Sequence, residues 1–286
     1  MLTKDKKIVA FVGTSKNGTS FLVNNLGALI ASMGIKVAIL DLAKNKNAYY
    51  VYTNNEEELR KIASESITKL NSGVAEGIKI NKNLSVYTAT PGQDVHENVE
   101  KILSTLVQNY SLVLIDCDFD TNAEYLRLSQ EIYLVQSMDV LTIQPLTEFL
   151  RDLKAKNILQ QNKIKIVINK SLKVKGLSSK VIVGGMSFYN DPAMSYMTEL
   201  FDRENVKYCE IPFEEQSYSL YLEGLLNCSI TLNGYSKIFL GALKELSNMV
   251  YPLIGGGSYK PDEESPKNNK FSSQMNNTLD QMKNKF

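Results

Sequence analysis

Residues 7–20 read Lys7-Ile8-Val9-Ala10-Phe11-Val12-Gly13-Thr14-Ser15-Lys16-Asn17-Gly18-Thr19-Ser20. A run of β-branched and aromatic residues breaks into a polar loop spaced by glycines. Beyond it Phe21, Leu22, Leu26, Leu29, Ile30 and Met33 recur at helical spacing, and Gly34 supplies the stop. Strand, glycine loop, helix is the context a phosphate-binding loop requires, because loop N–H groups and a helix N-terminus both favour an anion. Gly13 and Gly18 occupy the two glycine positions of G-x-x-x-x-G-K-[ST], and Ser20 occupies the hydroxyl position that would hold Mg²⁺. Thr19 stands at the lysine position. A backbone nest can still cradle an anion, but the point charge that reaches the phosphates is missing. Removing one preorganised electrostatic donor costs on the order of 10²–10³ in rate. The loop by itself reads equally well as a plain βα turn whose glycines serve geometry alone.

The rest of the chain extends this beginning. Further strands are predicted at Val37–Leu40, Leu84–Thr88, Leu112–Ile115, Ile132–Val135, Ile164–Ile168 and Val206–Ile211. Several are continuously apolar, as strands buried on both faces of a parallel sheet are. Helical patterns lie between them, including Glu56–Leu70 and Gly234–Val250. Asp191-Pro192, an N-cap followed by Pro at the first helical position, predicts a helix to about Arg203. The alternation predicts an α/β fold with a doubly wound, mostly parallel sheet flanked by helices. Of 286 residues, 43% are apolar, enough for a sizeable core, and 32 basic against 31 acidic residues leave a net charge of +1. No whole-chain field draws the protein to nucleic acid, although six lysines between Lys163 and Lys180 form a local candidate patch. One histidine, His96, placed after the Pro91-Gly92 turn on a predicted surface helix, makes a His-based triad or metal site improbable. Three widely spaced cysteines show neither zinc spacing nor a disulfide framework, which fits a reducing cytoplasm. Neither a signal peptide nor a membrane span is read in the sequence.

In segment order the chain resembles the ParA/MinD family of deviant Walker ATPases, and in particular the MinD-like branch that includes the CpaE and TadZ pilus-localisation proteins. Phe11 through Ser20, with its helix, looks like the family's opening, and Gly34-Ile35-Lys36-Val37-Ala38-Ile39-Leu40-Asp41 like its G-x-K-V-x-x-x-D. Leu112-Val113-Leu114-Ile115-Asp116 resembles the Walker B strand. Ile166-Val167-Ile168-Asn169-Lys170 looks like the strand whose Asn contacts adenine, and Ile211-Pro212-Phe213-Glu214 is similar to I-P-x-D. The resemblance covers roughly residues 6–252 and implies a P-loop NTPase fold that binds ATP and Mg²⁺ between the protomers of a homodimer. Its nucleotide-binding set would be Gly13, Lys16, Asn17, Gly18, Thr19, Ser20 and Asn169. Ser20, Asp41 and Asp116 would organise Mg²⁺ and its waters, with Asp41 and Asp116 as the catalytic carboxylates. The departures are specific. Thr14 replaces the signature lysine and Thr19 the P-loop lysine, Ala43 stands two residues after Asp41 where a second switch carboxylate is usual, and Cys117-Asp118-Phe119-Asp120 follows Asp116. Lys16 is a candidate substitute cation. Asp118 and Asp120 read as catalytic replacements or as solvated loop charges, and Cys117 as a small buried hydrophobe. Asn169 could equally start a turn.

A Gly-, Pro- and Asn-rich stretch at 253–269 reads as a flexible linker. After it Phe271, Met275, Leu279, Met282 and Phe286, spaced 4, 4, 3 and 4, form one helical stripe of about 80°. With Lys270, Lys283 and Lys285 nearby, this segment reads as a membrane anchor, a docking peptide for a protein partner, a helix packed on its own body, or a disordered tail. The resemblance favours the membrane, since MinD-like proteins carry membrane-targeting helices there. The expected function is that of a cytoplasmic positioning or scaffold factor, at most a weak ATPase, peripheral at the inner face of the cell membrane. It would serve a larger apparatus of protein components for pilus assembly, secretion, conjugation or partition. A nucleotide-free structural adaptor and a DNA-partition ATPase are the alternatives.

Overall fold

The computed structural model describes residues 6–54, 56–93, 96–191, 193 and 197–252. The predicted linker at 253–269 and the helix at 270–286 lie outside them. In chain order the elements are β1 (Lys7–Gly13), α1 (Thr19–Ser32), β2 (Val37–Asp41), α2 (Asn47–Thr53), α3 (Glu57–Asn71), β3 (Ile78–Lys79), β4 (Leu84–Tyr87), α4 (Val99–Asn109), β5 (Leu112–Cys117) and α5 (Ala123–Leu128). There follow β6 (Glu131–Gln136), α6 (Ile143–Ala155), β7 (Ile164–Ser171), α7 (Ser179–Met186), β8 (Phe188–Asn190), β9 (Met197–Glu199), β10 (Lys207–Pro212), α8 (Glu215–Leu226) and α9 (Lys237–Val250).

Eight strands form one sheet in the order β10-β7-β6-β1-β5-β2-β4-β3. All its neighbours run parallel except β3 and β4. Successive side chains of a strand point to opposite faces, and β1 shows the result. Ile8, Ala10 and Val12 join a core covered mainly by α4 to α7, while Val9 and Phe11 join one built on α1 and α9. Burial on both faces accounts for continuously apolar strands. The chain leaves β1 toward β2 on one side and later places β6 on the other. The carboxyl end of β1 therefore lies where strand order reverses, the place where open α/β sheets bind ligands.

All seven predicted strands belong to this sheet, within three residues at each end, the largest difference being β7, which runs on to Ser171. Among the described residues of the helix predicted from Asp191 to Arg203, none is helical. Met197–Glu199 pairs antiparallel with Phe188–Asn190 instead, in register Phe188 to Glu199. Tyr189 is buried against Arg151, whose guanidinium lies 4.5 Å from its ring and hydrogen-bonds its hydroxyl at 2.8 Å. That tertiary anchoring outweighs the local cap signal. His96 is exposed and precedes α4 rather than lying on a helix.

Candidate functional site

The glycine loop joins β1 to α1 at the carboxyl edge of the sheet. Gly18 is the N-cap of α1, with φ +87°. A side chain there would suffer left-handed strain and would meet the Asn169 amide. Gly13 is needed for close approach, because a Cβ at that position would run into the Val135 backbone carbonyl. Both glycines thus serve tight packing of the loop against β6 and β7.

Three side chains hold the loop from behind. Asn169 Nδ2 donates to the Asn17 carbonyl at 2.8 Å, and the Lys170 ammonium donates to the Lys16 carbonyl at 3.1 Å. Asn17 itself is buried, and its side chain turns away from the loop's outer surface. Its amide donates to Thr14 Oγ1 and reaches Gln136 and Thr142, while its carbonyl oxygen accepts from Ser137 Oγ at 2.8 Å. The loop is therefore pre-formed by its own chain. Thr14, at the signature-lysine position, is engaged inward.

In front of the loop lies a cleft of about 520 Å³. Gly13, Lys16, Gly18, Thr19, Ser20, Asp116 and Asn169 line it. Asn17 and Asp41 sit behind this lining. One wall is aromatic: Phe213, Tyr218 and Tyr221, with the Phe21 and Tyr221 rings edge to face at 4.6 Å between centroids. The Lys170 ammonium stands 5.8 Å from the centre of the Tyr218 ring. Asn47 Nδ2 donates to Ser20 Oγ at 2.9 Å, tying the start of α2 to the loop.

Asp41 and Asp116 form the acidic floor. They are register partners on β2 and β5, and both are buried. Asp41 Oδ2 accepts from the Ala48 N–H at 2.9 Å and from Thr88 Oγ1 at 3.3 Å. The Oδ1 atom of each aspartate is buried without a hydrogen-bond partner. Burial pushes Asp41 up to about 6, opposed by Lys46 and by its hydrogen bonds. Burial, and next the neighbouring Asp41 charge, raise Asp116 well above the usual carboxylate range, opposed first by the Ser20 hydroxyl. Two orphaned carboxylate oxygens beside a serine hydroxyl are a hard, all-oxygen donor set, and it fits Mg²⁺.

The added aspartates organise a loop. Asp118 Oδ2 accepts from the Lys44 N–H at 2.6 Å, and its Oδ1 accepts from the Asp120 N–H at 3.0 Å and from Thr121 Oγ1 at 3.1 Å. Asp120 is exposed and pairs with Lys44 at 3.4 Å. Cys117 is buried, which raises its thiol pKa and leaves it a small core residue. The six lysines do not form one surface. Lys163 and Lys165, at the start of β7, are engaged by the Arg127 carbonyl and Glu131, whereas Lys173, Lys175 and Lys180 are exposed at its far end. Sequence reasoning missed Lys46, Asn47, Thr88, Lys170 and the aromatic wall. Lys170, directly after Asn169, and Phe213, inside the Ile211-Pro212-Phe213-Glu214 segment, carried a local signal.

No family model matches the chain, and no curated protein matches it. Solved structures do match. A chain of the MinC:MinD cell division protein complex from Aquifex aeolicus is 15% identical with a TM-score of 0.62, over 89% of this chain and 100% of that one. The septum site-determining protein MinD of Pyrococcus horikoshii, complexed with Mg-ADP, is 16% identical with a TM-score of 0.59, over 89% and 100%. A ParA family ATPase from Chlorobium tepidum is 16% identical with a TM-score of 0.57, over 86% and 98%. The chain has the fold of these ATPases. Among the described residues no helix is long and apolar enough to cross a membrane.

Proposed function

We propose that this chain is a ParA/MinD-like nucleotide-dependent switch and at most a weak ATPase. Two copies associate around bound Mg-ATP and serve as a positioning or scaffold factor for a larger apparatus, such as one for pilus assembly, secretion, conjugation or partition. The protein is cytoplasmic and reaches the inner face of the membrane through residues 270–286.

One observation carries the reading: Asp41 and Asp116 are buried side by side behind a glycine loop, each with an unpartnered oxygen. Burying a like-charged pair costs free energy unless a cation joins it. Ser20, Asp41 and Asp116 would hold Mg²⁺, which when bound supplies charge neutralisation at the phosphates. The loop amides and the N-terminus of α1 would receive the phosphates, Lys16 and Lys170 would supply positive charge at the rim, and Phe213, Tyr218 and Tyr221 would offer a stacking surface to the base. Thr14 and Thr19 place no ammonium on the phosphates, so transition-state stabilisation is poor and the bound state persists. Isothermal calorimetry with Mg²⁺-ATP and Mg²⁺-ADP tests this. The expected result is one site per protomer, lost in Asp116→Asn. Absence of binding at millimolar nucleotide would overturn it.

The nucleotide-free adaptor is favoured by a different observation. The loop is already fastened by Asn17, Asn169 and Lys170 and needs no ligand to hold its shape. The DNA-partition reading is weakened by the division of the six lysines between opposite edges of the sheet.

A further inference from the structure

Helix α8 is apolar on two sides: Leu220 and Leu225 pack on the core and Tyr221 on Phe21, while a second apolar stripe faces outward. The only residues it buries fully are Ser217 and Gly224. Its outer face carries Tyr218, Leu222 and Leu226, which are 37%, 41% and 57% exposed. Their spacing of four places them in one stripe about 80° wide. Phe213, also exposed, tilts onto Tyr218 with ring centroids 5.9 Å apart and extends the stripe to the cleft mouth. A surface helix ordinarily turns its apolar stripe inward, so a contiguous outward stripe marks a covered face.

We infer that the chain's own residues 270–286 dock on this face and border the cleft. Three observations select that occupant. The first is shape: the segment has a single apolar stripe of the same width, and its spacing predicts a helix able to pack lengthwise on α8. The second is charge. α8 contains Glu215 and Glu223 and no basic residue, whereas the segment carries Lys270, Lys283 and Lys285 against Asp280 alone. The third is reach. The chain leaves the body at the edge where the parallel strands begin, since Lys7 Nζ donates to the Val250 carbonyl at 2.6 Å and Lys165 Nζ to that of Met249 at 3.4 Å. α8 starts from the opposite edge, about 20 Å away at ~3.3 Å per strand residue. The stretch 253–269 has a root-mean-square span of about 20–25 Å as a flexible chain, which matches that distance and gives a high effective concentration at the stripe. Docking makes the segment a self-contact at the rim of the cleft. It releases when a surface competes for the same apolar side chains.

Hydrogen–deuterium exchange on the full chain tests the contact. Leu279→Glu is expected to raise exchange of α8 amides at least threefold while those of β5 stay unchanged. The double variant Leu222→Glu/Leu226→Glu, at two exposed positions, is expected to raise exchange of 270–286 by a similar factor. A hundredfold dilution of the wild-type chain is expected to change neither. Equal α8 exchange in wild type and Leu279→Glu would overturn the inference. Protection that falls on dilution would overturn it too, since the occupant would then be a second copy.

Discussion

Asp41 and Asp116 face each other in register across β2 and β5, both buried, and each leaves one carboxylate oxygen without a partner. Burying two carboxylates side by side is costly unless a cation joins them.

One consequence concerns pH. The folded state holds the Asp41 proton to about pH 6, against an ordinary value of 3.8. Between those values the folded chain binds more protons than the unfolded one, so stability is greatest below the ordinary value and falls as pH rises through 6. The loss is on the order of 3 kcal/mol, at about 1.4 kcal/mol per unit. Thermal unfolding from pH 4 to 8 without divalent cations should show this decline. Mg²⁺ should offset it at pH 8 and have little effect at pH 5, and a flat profile would refute the assignment.

Replacing one carboxylate tests the same pair. Asp116→Asn removes a buried carboxyl whose ionisation is opposed by burial and by Asp41, so without Mg²⁺ the variant should melt above wild type by a margin that grows as pH rises. Its Mg²⁺-dependent stabilisation should vanish. A lower melting temperature would mean that Asp116 has a structural partner.

Gly18→Ala should be costly despite its small size. The left-handed backbone costs a non-glycine residue roughly 1–2 kcal/mol, and the new methyl displaces the Asn169 amide from the Asn17 carbonyl. Chemical denaturation should register both losses. Gly34→Ala, also at positive φ but with open space around it, should show the backbone cost alone.

Thr19→Lys returns an ammonium to the phosphate side of the loop. Mg²⁺-ATP binding should tighten by about tenfold, the order expected for one charge-assisted contact, whereas wild type should hydrolyse ATP far below ~1 s⁻¹. Unchanged affinity would show that phosphates do not lie along this loop. Light scattering of the variant with and without Mg²⁺-ATP should show a nucleotide-promoted dimer, and a strict monomer in both would count against the switch.

The sequence by itself determined the sheet and the loop. Seven apolar runs are legible because both faces of a parallel strand are buried, and the Gly13–Ser20 spacing is legible because Gly18 takes a left-handed backbone and Gly13 meets the Val135 carbonyl too closely for a side chain. Asp41 and Asp116 were visible as carboxylates closing apolar strands. Their partnership was not, because 75 residues separate them and only the placement of β2 beside β5 sets them in register. Likewise, nothing local announces that Asn17 turns inward to Gln136 and Ser137, that Lys170 braces the loop, or that Arg151 and Tyr189 override the Asp191-Pro192 signal. These are long-range contacts, and their energies depend on neighbours that only the folded chain brings together.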